Sequence, residues 1–76
     1  MNNERRKALV ELSSRIADIR SDLEGLQQKE QEYFDNMPEG FQASERGEKA
    51  EAAADALQAA LDALEEAYEQ IDVAMQ

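Results

Sequence analysis

Apolar residues at Leu9, Leu12, Ile16, Ile19, Leu23 and Leu26, continued at Tyr33 and Met37, advance in alternating steps of three and four. That spacing is a heptad. Leu9, Ile16, Leu23, Glu30 and Met37 take its a positions and Leu12, Ile19, Leu26 and Tyr33 its d positions, with Glu30 the one polar intruder. No proline interrupts residues 4–36, so the pattern predicts a single helix over about 3–36, roughly 50 Å long at 1.5 Å per residue. Asn2 or Asn3 is placed to cap its start. Pro38 disfavours helical geometry at Met37 and ends it.

A second seam runs through Ala50, Ala54, Leu57, Leu61, Leu64, Tyr68, Ile71 and Met75. It predicts a helix over about 44–75, in alanine- and glutamate-rich sequence that favours helix on propensity alone. Ser44 is its candidate N-cap, although Gly47 stands where a capping box needs Glu or Gln. Folding one helix back on the other sets Leu9 opposite Ile71. The same register then pairs Leu12 with Tyr68, Ile16 with Leu64, Ile19 with Leu61, Leu23 with Leu57, Leu26 with Ala54, Glu30 with Ala50 and Tyr33 with Gly47. Its midpoint is Gly40. Two seams read separately therefore agree on one all-α antiparallel two-helix hairpin, coiled-coil-like, a single domain over 1–76 with its turn at 37–43. In this reading Gly40 allows the reversal, Gly47 leaves room opposite Tyr33, and Arg6 pairs with Asp72. Phe34, Met37 and Phe41 close the open end of the seam, with Phe41 folded onto it as a cap; the alternative is an exposed aromatic tip that contacts a partner.

A chain of 76 residues without cysteine has neither a disulfide nor a large core to stabilise it, and oligomerisation is the usual remedy. Ala53, Ala60, Ala67 and Ala74 recur every seven residues beside the main seam, and Val10, Ser14, Ala17, Ser21 and Gly25 form a small-residue stripe on the first helix. Small side chains let helix axes approach closely. The expected assembly is a homodimer packing two hairpins into a four-helix bundle, with the alanine row as its self-association surface. A heterologous helix in the same groove is the rival.

The chain contains no histidine, which removes the commonest general base and metal ligand. Read as an EF-hand from Asp35, the turn has Gly40 where that loop needs glycine, but Met37, Pro38 and Arg46 fall at positions that need oxygen ligands or deny them. No catalytic, metal-binding or cofactor-binding residue is assigned, and no enzymatic activity is expected. Eighteen acidic against eight basic residues give a net charge of −10, which argues against direct binding to nucleic acid or to anionic membrane. No apolar run reaches the roughly 20 residues of a membrane span, and the start of the chain has no apolar signal-peptide core. After Lys49 there are seven carboxylates and no basic residue. Asp55, Asp62, Glu65, Glu69 and Asp72 form an outward strip that either keeps a thin rod soluble or imitates a phosphate backbone in the basic groove of a nucleic-acid-binding protein.

The turn and second helix, residues 33–72, carry Asn36, Pro38, Glu39 and Gln42 followed by Ser44, Arg46 and an "ALEEA" segment. In this the chain resembles short helical proteins encoded in bacteriophage and prophage genomes, a family without an assigned activity. The resemblance implies a small accessory or host-interaction protein of mobile-element origin in the host cytoplasm, and binding to a host or defence protein, with inhibition as one version, is the reading built on it. In outline the chain is also similar to plasmid-borne Rop-type hairpin dimers, but it lacks their basic RNA-binding face. The leading expectation is a non-enzymatic protein–protein interaction module. A nucleic-acid mimic acting through the acidic strip and a purely structural oligomerisation element are the alternatives.

Overall fold

A computed structural model describes all residues from Met1 to Gln76. The chain is all-helical: α1 spans Asn3–Asp35, a single turn of helix α2 spans Glu39–Gln42, and α3 spans Glu45–Met75. Packed side by side and antiparallel, α1 and α3 make a rod 58 Å long and 15 × 13 Å across between Cα atoms.

Each long helix starts where its cap predicts. The Asn2 side chain accepts a hydrogen bond from the Arg5 backbone N–H at 2.8 Å, and the Ser44 hydroxyl accepts one from Gly47 N–H at 3.4 Å. Each cap satisfies one of the four donors that a helix N-terminus leaves without a partner. Glu45 and Glu48 in the first turn of α3 also complement the positive end of its dipole. The Arg5–Arg6–Lys7 cluster has the opposite sense at the start of α1, and the hairpin explains its position. Arg6 Nε donates to the carbonyl of Met75 at 3.2 Å, placing a cation at the α3 C-terminus, where carbonyls lack partners. The expected Arg6–Asp72 ion pair is absent for this reason: the guanidinium is engaged one turn further on.

The connection is tighter than an open turn. The Phe41 and Gln42 amides donate to the Pro38 carbonyl at 2.8 and 3.1 Å, so residues expected to be irregular close a helical turn started by proline. The Gln42 side chain donates to the Phe34 carbonyl at 3.1 Å, tying this turn to the end of α1. Two expectations about glycine change. Gly40 does not serve the reversal: its φ is not positive, and nothing lies within 4 Å of where a Cβ would be. Gly47 is required, but not to accommodate Tyr33. A Cβ there would collide with the carbonyls of Phe41 and Gln42.

The register of the hairpin is the one the two seams predict, within one residue: Arg6 meets Met75 and Tyr33 meets Arg46. The rotation of α1 differs. Leu9, Ile16 and Leu23 lie half-buried in the seam, but the residues beside them facing α3 are Ser13, Arg20, Gln27 and Phe34, the e row. Ser13 shares a groove with Tyr68 and Arg20 one with Leu61, the residues expected to meet Leu12 and Ile19. The d row has turned outward. Leu12, Ile19, Leu26 and Tyr33 are between 42 and 57% exposed. Buried apolar residues are confined to Ala50 and Ala54, and no large side chain is fully buried.

Candidate functional site

An antiparallel pair of helices has two long faces, and this hairpin divides its chemistry between them. On one, the groove floor holds Arg20, Glu24 and Gln27 from α1 with Gln58, Asp62 and Glu65 from α3. Arg20 and Glu65 approach to 3.9 Å with side chains 35 and 55% exposed, a solvent-screened pair worth about 0–1 kcal/mol. Further along the same face, toward the chain ends, the Ser13 hydroxyl is buried without a hydrogen-bond partner.

The other face carries the d row of α1. The alanine row of α3 lies on the same side, because Tyr33 of the d row meets Arg46, the residue seven positions before Ala53 in that row. Ala53 and Ala60 are half-buried there, and Ala67 and Ala74 are exposed. The next row outward on α3 is Lys49, Ala56, Ala63 and Gln70, so this side of α3 presents no carboxylate. An apolar face thus runs along the rod from Leu12 to Tyr33 on α1 and from Ala53 to Ala74 on α3, with large side chains on one helix and alanine on the other. The heptad shows which residues are apolar, but it places Leu12, Ile19, Leu26 and Tyr33 in the interior of one chain. Beside the alanine row expected at an association surface, the structure sets this leucine-rich row in place of the small-residue stripe of α1, whose Val10, Ser14 and Ala17 line the opposite groove with Ser13 and Tyr68.

The carboxylates of the acidic strip fall into two rows. Asp55, Asp62 and Glu69 follow one another at seven-residue spacing, and Glu65 and Asp72 lie in the adjacent row beside the polar groove. All five are exposed. Glu65 faces Arg20, while Asp62 and Asp72 accept hydrogen bonds from Gln58 and Gln76 at 3.2 and 3.4 Å. No three carboxylates converge closely enough to hold a metal ion.

The turn carries a second feature, made of residues to which the sequence gives separate roles. Tyr33, Asn36, Met37, Pro38, Phe41 and Arg46 line an open cleft of about 390 Å³. Arg46 Nε donates to the Tyr33 hydroxyl at 2.7 Å, and its guanidinium carbon lies 5.8 Å from the Tyr33 ring centroid, within cation–π range. Phe34 and Met37 are half-buried, as residues that close the seam should be. Phe41 is 60% exposed and does not cap the seam; α2 carries it outward to one wall of the cleft. The Arg46–Tyr33 contact follows from the hairpin register, which sets position 46 one residue from Tyr33's partner.

No protein-family model matches this chain, and no curated protein or solved structure matches it either. No helix is long and apolar enough to cross a membrane.

Proposed function

We propose that the chain is a non-enzymatic protein–protein interaction module that works as a homodimeric four-helix bundle, two hairpins packed face to face. The observation that carries this reading is the outward d row. Four large side chains in one line, about half exposed, leave an apolar face far longer than the scattered apolar surface of an ordinary monomer. A two-helix rod with no fully buried large side chain gains a core when that face is covered. If folding and association are linked, the melting temperature should rise with protein concentration. Circular dichroism melts over a hundredfold range of concentration test this; a constant midpoint would contradict it.

The outer surface of such a bundle is then free to bind its target. The turn resemblance to phage-encoded proteins supports a host or defence protein in the host cytoplasm as that target, with inhibition as the outcome. A second reading is favoured by one observation: Asp55, Asp62 and Glu69 are collected on the side of α3 away from the apolar face. A dimer would therefore display a carboxylate row on each flank, suited to a basic groove that ordinarily holds nucleic acid. Under that reading, changing Asp55, Asp62, Glu65, Glu69 and Asp72 to Asn or Gln leaves helicity intact and weakens target binding steeply. Wild-type affinity also falls as salt rises. Affinity that is flat across salt would favour an apolar contact through the turn cleft.

A further inference from the structure

We infer that the second copy lies antiparallel across the apolar face, on a two-fold axis that passes by Ile19 and Ala60, so that the two turns point to opposite ends of the bundle. The inference rests on the reading of this face as a dimer interface and assigns its symmetry, register and ion pairs.

Three observations fix the arrangement. The first is the order of residues in the exposed row. Arg5, Leu12, Ile19, Leu26 and Tyr33 follow at seven-residue intervals, and Ile19 is also the midpoint of α1, which spans Asn3–Asp35. A two-fold axis at Ile19 sets Leu12 on Leu26 of the second copy, Ile19 on its own equivalent, and Arg5 beside the Tyr33 ring at each end. In the hairpin register Ile19 lies nearest Ala60 of the alanine row. The same axis therefore sets Ala60 on its equivalent and Ala53 on Ala67 of the second copy, with the helices overlapping over their full length.

Charge at the edge is the second. Arg15, Asp22 and Lys29 border the exposed row on α1. Arg15 and Asp22 are two helical turns apart, too far to meet within one helix, and neither takes part in an ion pair within the chain. The axis at Ile19 brings Arg15 opposite Asp22 of the second copy, and the symmetry makes the contact twice. A bundle with both turns at one end would instead set α1 against the α3 edge of Lys49, Ala56, Ala63 and Gln70, where Arg15 and Lys29 find no carboxylate. The acidic rows of α3 lie on its other sides, and on α1 Glu4, Glu11, Asp18 and Glu32 form the next row outward, beyond the Arg15–Asp22 contact.

The third is area. The rod is 58 Å long between Cα atoms, and an axis at the midpoint of both long helices lets two copies overlap from end to end, the largest contact two such rods can make toward the roughly 800 Å² per partner of a standard specific interface. A dimer offset by one heptad or more gives up part of that overlap and the symmetric pairing of the row.

Single-cysteine variants test the topology directly, since the chain has no native cysteine. Ile19→Cys and Ala60→Cys should each form a disulfide or short bis-thiol link to a second copy, while Gly40→Cys at the turn should not. Efficient linking through Gly40→Cys without linking through Ile19→Cys would overturn the antiparallel arrangement and leave the dimer itself standing. A wild-type chain that sediments as a monomer would overturn the dimer and the inference together. The ion pairs have their own test by sedimentation equilibrium. Arg15→Asp alone and Asp22→Arg alone should each raise the dimer dissociation constant by about threefold to tenfold, the range of two partly exposed pairs, and the double variant should restore it. A double variant no better than the singles would refute the Arg15–Asp22 contact.

Discussion

All three glycines of this chain occupy helical backbone, and only Gly47 is there by necessity. Its α-carbon packs against the Phe41 and Gln42 carbonyls, so Gly47→Ala should cost about 1–3 kcal/mol, the range for forcing a methyl group into filled space. Gly25 and Gly40 have open space within 4 Å of where a Cβ would lie, and neither has a positive φ. Gly25→Ala should therefore stabilise the chain by about 0.5–1 kcal/mol, since alanine loses less backbone entropy in a helix. Urea titration of the two variants should give shifts of opposite sign; a Gly47→Ala variant as stable as wild type would show that the turn yields where its carbonyls lie. Ser13 belongs to the same scale. Its hydroxyl is buried without a partner, and such a group costs about 1–3 kcal/mol. Ser13→Ala should be more stable than wild type, and loss of stability on that change would reveal a hydrogen bond to the hydroxyl.

Among the elements, the turn decides which way α1 faces. The Gln42 side chain holds the Phe34 carbonyl, and the start of α3 presses Gly47 onto the backbone of α2. Together these bring Phe34, at the e position, inward and leave Tyr33, at d, under Arg46. Phe34→Ala should cost about 1–3 kcal/mol of stability as a half-buried aromatic, whereas Phe41→Ala should change it by less than about 0.5 kcal/mol as an exposed one. Equal losses in thermal melts would mean that Phe41 packs on the seam after all. The helices, their caps at Asn2 and Ser44 and the register of the hairpin are legible in the sequence because each follows from local spacing and from the match between two periodic patterns. The rotation of α1 is not. A heptad names the apolar rows, but the a row has a neighbour on either side, and which neighbour faces the other helix depends on backbone contacts in the turn. Phe34, apolar at an e position, is the one residue in the sequence that points to the rotation seen. The turn cleft is hidden for a related reason: the helical turn over Glu39–Gln42, which directs Phe41 outward, is too short to show a period.

Across the whole molecule, the separation of surfaces is the main result of the fold. Carboxylates lie toward one side of α3, leucine-type residues on the outward row of α1, and alanines between them and the far edge. The elongated rod leaves that apolar row at the surface because two helices can enclose only one seam, and the face becomes interior when further helices cover it. Completing the burial of each half-exposed side chain contributes on the order of 1 kcal/mol, so a charge placed in the row should disrupt association while leaving the exposed environment of the isolated hairpin little changed. Sedimentation equilibrium of the wild type and of Ile19→Asp from low to high micromolar concentration distinguishes a covered face from a bare one. The wild type should converge on twice the 8.5 kDa mass of one chain, and Ile19→Asp should remain helical at the mass of one. A wild type that stays at the mass of one chain throughout, or an Ile19→Asp variant that dimerises as well as the wild type, would contradict the claim that a second copy covers this face.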